Sequence, residues 1–315
     1  MLPVFIFDAH VDTLSRLVDN RETLESAEGH VSLANLRDCK QGAQFFASFV
    51  SPKYYHGLAM HRTMEMIDAF WQMLETYPDD LAFAGAGKDI LDIKRGGRHA
   101  CLLAIEGGEA LEGKLSSLRL FYRLGVRLVT LTWNHRNELA SGQSEGAQGG
   151  GLSLFGQEVV REMNRLGMLI DVSHLNEPGF WDVLRLSESP ILASHSNARG
   201  LCDHPRNLTD EQIRALADSG GVIGVNFYSS FLTSTGESTV EHVLDHIEYL
   251  IKVGGVECVA LGSDFDGIDD TPKGLEHKGK TLILAEALQE RGYPAGTIEK
   301  VMGKNLLRLC CEVLG

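Results

Sequence analysis

Short apolar runs recur along the chain, and the longer stretches between them place apolar residues three or four positions apart. Continuous apolar runs of this kind are typical of strands that are buried on both faces, as in parallel sheets. We predict eight strands, at residues 4–8, 43–50, 101–105, 127–132, 168–172, 191–194, 222–226 and 259–263.

The stretches between these strands predict helices. Residues 156–166 keep a helical period and are followed by Gly167, a residue type common at helix C-termini. Residues 209–217 open with Thr-Asp-Glu-Gln, which is a helix start signal, and residues 239–253 and 61–77 also have helical spacing. Because strands that alternate with helices pair in parallel, the chain consists of repeated strand–helix units.

The number of these units decides between two folds. Eight units in 315 residues favour a (β/α)8 TIM barrel over a doubly wound sheet. Residues 51–100 are too long for a simple crossover and predict a helical excursion between early strands. We therefore predict a single α/β barrel domain over residues 1–315.

Five of the apolar runs lead directly into histidine or carboxylate residues. Polar residues often cap strands, but charged groups are rare at buried strand ends unless they are paired or bound. In a barrel the carboxyl ends of all strands meet at one mouth, so these side chains would lie close together. The residues concerned are His10 with Asp12, Glu106, His174, His195 and Asp264.

His10 and Asp12 belong to the segment Asp-Ala-His-Val-Asp at the end of the first run. Side chains alternate along a strand, so these two point the same way. An imidazole beside a carboxylate suits a divalent cation such as zinc. From this segment alone, a strand that ends in a polar turn is an equal alternative, and the recurrence of the pattern favours the metal.

Charge and composition exclude several classes of partner. The net charge of −14 and the lack of a Lys/Arg-rich stretch argue against nucleic acid. No segment approaches the roughly 18 apolar residues of a membrane helix, and no signal peptide is visible, so we expect a cytoplasmic protein without a membrane partner.

Six cysteines without Cys-x-x-Cys spacing predict free thiols in a reducing compartment. The oligomeric state is open, and a homodimer is one alternative.

Seven segments carry a family resemblance, at residues 8–12, 105–108, 167–174, 193–196, 205–207, 224–228 and 262–267. Together they resemble the membrane (renal) dipeptidase family and its bacterial relatives, within the amidohydrolase-like metal barrels. The segments occur in the family's order, and the ordered set is far more specific than any one of them.

The resemblance implies a site with two zinc ions per chain. His10 and Asp12 look like ligands of one ion, His174 and His195 look like ligands of the other, and Glu106 looks like the bridging carboxylate. The chemistry agrees, because the two oxygens of a carboxylate can span a pair of cations. The alternative for Glu106 is a turn carboxylate before two glycines.

The resemblance also implies roles in substrate binding and proton transfer. Arg206 resembles the clamp for the free carboxylate of the substrate, and a guanidinium fork suits that contact. Tyr228 resembles a substrate-pocket residue, with a core aromatic as the alternative. Asp264 resembles the acidic residue that handles protons, although Asp266 is the inward carboxylate if the last strand ends differently.

The chain departs from the family after the fourth strand. Mammalian members have a histidine directly after Leu-Thr, thought to hold the scissile carbonyl, whereas here Leu131-Thr132 is followed by Trp133-Asn134 and then His135. A shift of two residues preserves strand parity, so His135 could serve in catalysis and substrate binding if the strand runs on. A loop residue is the alternative.

His242 and His246 have the spacing of a helical zinc pair. No glutamate follows the first of them, as it would in that motif. We interpret them as an exposed or half-buried helix face.

The resemblance implies a metallo-dipeptidase that cleaves small dipeptides, including those with a C-terminal D-residue, through water activated between two zinc ions. One alternative is a barrel amidohydrolase that acts on a cyclic amide or a lactone. Those enzymes usually begin with His-x-His and often bridge their metals through a modified lysine, and no lysine occurs at residues 127–135. A non-catalytic metal-binding barrel is the alternative of a different class.

Overall fold

A computed structural model describes residues 4–25, 29–39, 42–55 and 57–315. Parallel strands form the centre of the molecule, and each begins and ends within a few residues of a predicted apolar run, except for one added strand. In the described residues they are Phe7–Val11 (β1), Ala43–Phe49 (β2), Leu81–Phe83 (β3), His99–Glu106 (β4), Val126–Thr130 (β5), Leu169–Asp171 (β6), Leu192–Ala193 (β7), Val222–Val225 (β8) and Val259–Leu261 (β9).

Eight of these strands close into a barrel. Strand β1 pairs with β2 on one side and β9 on the other, β2 pairs with β4, and the order then runs from β4 to β9. The added strand β3 pairs with the start of β4, at residues 99–101, while β5 pairs with the same strand from Leu103 onward. The predicted TIM barrel is confirmed. The pattern did not predict β3, because three residues are too few to show a strand period.

Helices surround the barrel, and the four predicted ones are present with small shifts at their ends. In the described residues they are Thr13–Asn20 (α1), Leu33–Asp38 (α2), Ala59–Thr76 (α3), Gly87–Arg95 (α4), Leu115–Arg123 (α5), Leu154–Leu166 (α6), Glu177–Leu186 (α7), Asp210–Asp218 (α8), Ser229–Leu232 (α9), Val240–Gly254 (α10), Leu282–Glu290 (α11), Ala295–Glu299 (α12) and Asn305–Val313 (α13). Ser153, Asn176 and Thr209 each accept a backbone N–H at the start of a helix, which explains where α6, α7 and α8 begin.

The barrel interior is filled rather than hollow. A layer of buried side chains occupies it, and the stacked rings of Phe7 and Phe45 lie 5.8 Å apart within that layer. Ile90 of α4 and Leu306 of α13 belong to the same cluster, so these two helices close the end where the strands begin. The predicted excursion over residues 51–100 therefore supplies α3 against the outside of the barrel and α4 at its closed end. Only the opposite end, where the strands finish, is left for a site.

The cysteines and the helix lengths agree with the sequence. All six cysteines are unpaired, and only Cys311 is exposed. Among the described residues, no helix has both the length and the apolar character needed to cross a membrane.

The structure corrects the interpretation of His246, which is buried rather than on an exposed or half-buried face. Its Nδ1 accepts the backbone N–H of Ala198 at 3.1 Å, and its Nε2 donates to the carbonyl of Leu232 at 3.1 Å. His242, one turn earlier, is half-buried as predicted and lies beside Thr239 at the start of the helix. His246 therefore joins helix α10 to two loops, a role that helical spacing does not reveal.

Candidate active site

The five predicted metal-ligand residues lie together at the open end of the barrel. Nε2 of His174 is 3.0 Å and Nε2 of His195 is 3.5 Å from Oε1 of Glu106. Nε2 of His10 is 3.6 Å from the other oxygen, Oε2, and 3.3 Å from Oδ2 of Asp12. Each of the two Glu106 oxygens thus faces a different set of partners.

This arrangement gives three overlapping sets of donor atoms, with the atoms of each set within 4.8 Å of one another. Two of them share Glu106: one consists of His10, Asp12 and Glu106, and the other of Glu106, His174 and His195. The third consists of His10, His195 and Asp264. All are imidazole nitrogens or carboxylate oxygens, and all belong to buried residues except the half-buried Asp264. Such donors suit zinc and related divalent ions. The residues present could therefore hold two cations that share Glu106.

A bulge in β1 aims His10 at the site. Phe7 and Ala9 face the barrel interior, so strict alternation would turn His10 outward. The pairing with β2 shifts register between Asp8 and Val11, which adds a residue to β1 and reverses the alternation. His10 and Asp12 still share a face, as predicted, but His10 lies within β1 instead of after it.

Close packing of charged groups shifts the pKa values in the cluster. Burial alone would lower the pKa of His10, but the neighbouring Glu106 and Asp12 carboxylates raise it well above the usual value. Burial would raise the pKa of Glu106, but the neighbouring His10 holds it well below the usual range. Burial lowers the pKa of His174 to about 4. The centre therefore combines an ionised carboxylate with imidazoles in a water-poor setting.

Hydrogen bonds leave the Nε2 atoms of His174 and His195 without protons. The Ser194 hydroxyl donates to Asp171 at 2.5 Å, so it accepts from Nδ1 of His195, 2.7 Å away. Nδ1 of His174 lies 2.7 Å from Oδ1 of Asn134 and donates to it. The two Nε2 atoms then present lone pairs to each other at 2.8 Å. A cation between them would relieve that repulsion, so the residues fit a metal ion.

Of the two aspartates that follow β9, Asp264 faces the cluster. Its Oδ1 is 3.9 Å from Nε2 of His10, and its Oδ2 accepts the side-chain amide of Asn226 at 2.9 Å. Asp266 instead accepts the backbone N–H of His30 at 2.7 Å, so it fastens the loop. Burial, together with nearby carboxylates, raises the pKa of Asp264 well above its usual value.

Backbone geometry at these strand ends is unusual. His174, Asp264 and Asp266 have φ angles of 67°, 63° and 66°, in the left-handed region that side chains other than glycine rarely adopt. Gly267 allows a close approach, since a Cβ atom there would lie 2.1 Å from Oδ2 of Asp12 and 2.7 Å from Oδ1 of Asp264. The loop after β9 therefore has room for both carboxylates only because residue 267 is glycine.

A cavity of about 450 Å³ opens above the donor cluster. Glu106, His174 and Asp264 lie at its base, and aromatic residues form much of its wall. Tyr228 lies in that wall, as the resemblance implied for a pocket residue. The other aromatic residues are Phe49, Tyr54, Trp133 and Phe231.

Arg206 is buried beside the cluster. Its Nη2 donates to the carbonyl of His195 at 3.3 Å, its Cζ lies 5.4 Å from the ring centre of Phe231, and its Nε has no partner among the described residues. It lines a neighbouring cavity of about 190 Å³ that shares His174 with the larger one. Burial lowers the pKa of Arg206 to about 10.

The structure does not bring His135 into the cluster. Strand β5 ends at Thr130, so strand alternation does not extend to His135, which is exposed and packs its ring 5.6 Å from Trp133. Trp133 and Asn134 line the cavity instead. Sequence reasoning did not single out these two as site residues, and their only signal was their position just beyond a strand end.

Asp171 and Ser194 lie within two of the segments that carry the family resemblance, residues 167–174 and 193–196, but the sequence pattern predicted no role for them. Both are fully buried and polar at the ends of apolar runs. Such residues need hydrogen-bond partners, which was the signal available in the sequence.

Comparisons with known proteins agree with this geometry. Residues 1–314 match the family model described as membrane dipeptidase, peptidase family M19. An uncharacterized dipeptidase of Schizosaccharomyces pombe, C965.12, is 36% identical over 329 residues, which cover 96% of this chain and 79% of that protein.

Two solved structures have the same fold. The dipeptidase AC, a metallopeptidase of family M19, is 31% identical with a TM-score of 0.92 over 99% of both chains. A metallopeptidase from Rhodobacter sphaeroides, bound to a phosphinate mimic of the dipeptide L-Ala-D-Ala, is 30% identical with a TM-score of 0.91 over 98% of this chain and 99% of that one. The chain belongs to the membrane dipeptidase family, peptidase family M19, and is a metallo-dipeptidase of that family.

Proposed function

We propose that this protein is a binuclear zinc dipeptidase that hydrolyses small dipeptides, including those with a D-residue at the C-terminal position. The observation that carries the proposal is the position of Glu106, whose two oxygens face two separate sets of imidazole and carboxylate donors. A shared carboxylate is the usual feature of paired-metal hydrolases.

The chain offers a complete set of residues for two ions. His10, Asp12 and Glu106 would hold one, and Glu106, His174 and His195 would hold the other. When bound, the ions would polarise the scissile carbonyl and lower the pKa of water to the working range. Nitrogen and oxygen donors without a thiolate suit zinc, and they also accept related divalent ions.

Asp264 is the residue we assign to proton transfer. It belongs to neither set of proposed ligands, lies beside His10, and has its Oδ2 held by Asn226. The side chain can take a proton from the attacking water and pass it to the leaving amine. Its orientation is fixed before substrate arrives, which favours this transfer.

Arg206 and Tyr228 are the proposed substrate-binding residues. A buried guanidinium with an unpartnered Nε suits a carboxylate, and Arg206 lies next to His195 and the ring of Phe231. A carboxylate held there would place the scissile bond one residue from the C-terminus, above the donor cluster. This clamp would favour dipeptides over internal bonds of longer chains.

The proposal also covers dipeptides with a C-terminal D-residue and a role for His135. The former is supported by the Rhodobacter sphaeroides relative, whose bound ligand mimics L-Ala-D-Ala. For His135, we predict a contact with the substrate carbonyl, although Trp133, and not His135, lines the cavity.

The six unpaired thiols support a reducing compartment such as the cytoplasm. We also predict a homodimer, which size-exclusion chromatography would detect.

The proposal is tested with a panel of substrates on the zinc-loaded protein. We expect L,L and L,D dipeptides to be cleaved to free amino acids, and cyclic amides and lactones to remain intact. Cleavage of a cyclic amide or a lactone, with dipeptides untouched, would favour the amidohydrolase alternative. Two bound ions with no hydrolysis of any substrate would favour the non-catalytic barrel.

A further inference from the structure

The hydrogen bonds behind the two proposed metal positions are unequal. Behind His195, the Asp171 carboxylate is fully buried and accepts four hydrogen bonds. Its Oδ1 accepts the backbone N–H groups of Ser173 and Ser194 at 2.9 Å each, and its Oδ2 accepts the hydroxyls of Thr130 at 2.6 Å and Ser194 at 2.5 Å. The Ser194 hydroxyl therefore has a fixed direction, with its lone pair available to Nδ1 of His195.

His174 is fixed in a comparable way. Its Nδ1 donates to Oδ1 of Asn134 at 2.7 Å, and its carbonyl accepts the N–H of Gln143 at 2.7 Å. The carbonyl of Asn134 accepts the N–H of Ser144 at 2.8 Å, which anchors the loop that carries the amide. Both imidazoles of this pair are thus held with Nε2 ready to bind a cation.

His10 has no such support. Its Nδ1 is buried without a hydrogen-bond partner among the residues that the structure describes. Its Nε2 lies 3.3 Å from Oδ2 of Asp12, so this nitrogen donates to the carboxylate in the present arrangement. To bind a cation through Nε2, the ring must carry its proton on Nδ1, where the described part of the chain offers no acceptor.

We propose that the two metal positions differ in affinity for the cation. The position formed by Glu106, His174 and His195 is pre-organised by Asn134 and Ser194 and fills first. The position formed by His10, Asp12 and Glu106 fills second and exchanges its ion faster. The inference rests on the pair of ions in the proposed function, but it does not depend on the substrate. Asn134 and Ser194 act here as positioning residues. Partners of this kind typically alter metal affinity by about 10- to 100-fold.

The other side of the barrel contains a natural control. Asp8, the second residue of β1, accepts the backbone N–H groups of His10 and Ser263 on Oδ1. Its Oδ2 accepts the Ser263 hydroxyl and the Lys278 ammonium, each at 2.7 Å. The Ser263 hydroxyl has the same bond to an aspartate as Ser194 and is equally buried. Among the described residues it makes no hydrogen bond with an imidazole, and it also accepts the backbone N–H of Phe265.

The order of filling is measured by adding zinc to the apoprotein and following the ¹⁵N resonances of the imidazoles. At one equivalent we expect the resonances of His174 and His195 to move to their metal-bound positions while those of His10 stay in place. The second equivalent should then move His10. A response of His10 at the first equivalent, or of all three rings together, would overturn the proposal.

Variants test whether Ser194 and Asn134 cause the difference. In Ser194→Ala the first dissociation constant for zinc should rise about 10- to 100-fold, and in Ser263→Ala it should stay at the wild-type value. Asn134→Ala should behave like Ser194→Ala, and it decides the question if Ser194→Ala does not fold. Equal losses of affinity in the two serine variants would show a general packing effect and overturn the assignment.

The melting temperature of each apoprotein separates packing from metal positioning. Both serine variants lose a buried hydrogen bond, so we expect similar decreases in the melting temperature but different zinc constants. Two zinc ions that bind in the stated order without dipeptide cleavage would overturn the proposed function and leave this inference standing. A working dipeptidase whose two positions fill together would overturn this inference alone.

Discussion

The ammonium of Lys278 lies 2.7 Å from the Asp8 carboxylate, and both side chains are fully buried. The pair connects residues 270 positions apart in the sequence. Burial would raise the pKa of Asp8, but Lys278 lowers it below the usual value. Because Asp8 also accepts the N–H groups of His10 and Ser263, the ion pair helps to hold together the strand ends that carry the candidate site.

Lys278→Met should destabilise the protein strongly. The substitution leaves the Asp8 carboxylate buried without its cation, which costs about 3–5 kcal/mol of unfolding free energy in comparable cases. Denaturant unfolding measures the loss. Lys280→Met is the control, since Lys280 is exposed and pairs with Glu276, and such pairs contribute at most about 1 kcal/mol. Similar losses in both variants would mean that the buried pair has no special role.

Asp264→Asn should separate proton transfer from metal binding. The amide keeps the shape of the side chain but cannot accept a proton, so turnover should fall about 10²- to 10⁴-fold while both metal ions are retained. Steady-state kinetics and elemental analysis on the same preparation give both quantities. Asp266→Asn should have a milder effect on turnover, because Asp266 faces the backbone of His30. Loss of a metal ion in Asp264→Asn would make Asp264 a ligand.

Arg206→Ala should impair cleavage of free dipeptides far more than cleavage of C-terminally amidated ones. A charge-assisted contact contributes about 1.5–3 kcal/mol, which corresponds to a ten- to hundredfold loss in kcat/KM. Comparing kcat/KM for each substrate pair in the wild type and the variant isolates the carboxylate. Arg206 also donates to the carbonyl of His195, so equal losses on both substrates would indicate a structural role.

His246 should make the folded state sensitive to acid. Burial lowers its pKa to about 4, whereas the unfolded chain has the ordinary value of 6.5. The unfolded state therefore binds more protons between these values, and stability falls as the pH drops from about 6.5 towards 4. The difference amounts to about 2 kcal/mol between pH 7 and pH 5.

Chemical denaturation at pH 7 and pH 5 tests the His246 effect. His246→Gln should be less stable at pH 7, because it disturbs the bonds to Ala198 and Leu232, but should lose less stability on acidification than the wild type. His242→Gln is the control and should keep the wild-type pH dependence. An unchanged pH dependence in His246→Gln would assign the acid sensitivity to other groups.

The sequence predicted the barrel because its strands are continuous apolar runs, and it located the cluster because charged residues follow them. Glu106 and His195 illustrate this, as each stands at the end of such a run. The bulge that turns His10 inward could not be predicted, since it depends on pairing with β2.

The sequence also could not predict contacts between side chains that are far apart along the chain. Lys278 lies in a polar segment, and nothing local shows that it reaches Asp8 across 270 residues. The prediction that His135 points into the site assumed that β5 continues with alternating side chains, but that strand ends at Thr130. In both cases tertiary contacts, rather than local spacing, decide where the side chain lies.

The most direct test is to add zinc to the apoprotein in steps and to measure the release of amino acids from L-Ala-D-Ala at each step. The account predicts no release without metal, a rate that rises until two equivalents are bound, and almost no release from Glu106→Gln at any zinc level, because this residue would touch both ions. Full activity in the absence of metal, or no activity with two ions bound, would contradict it.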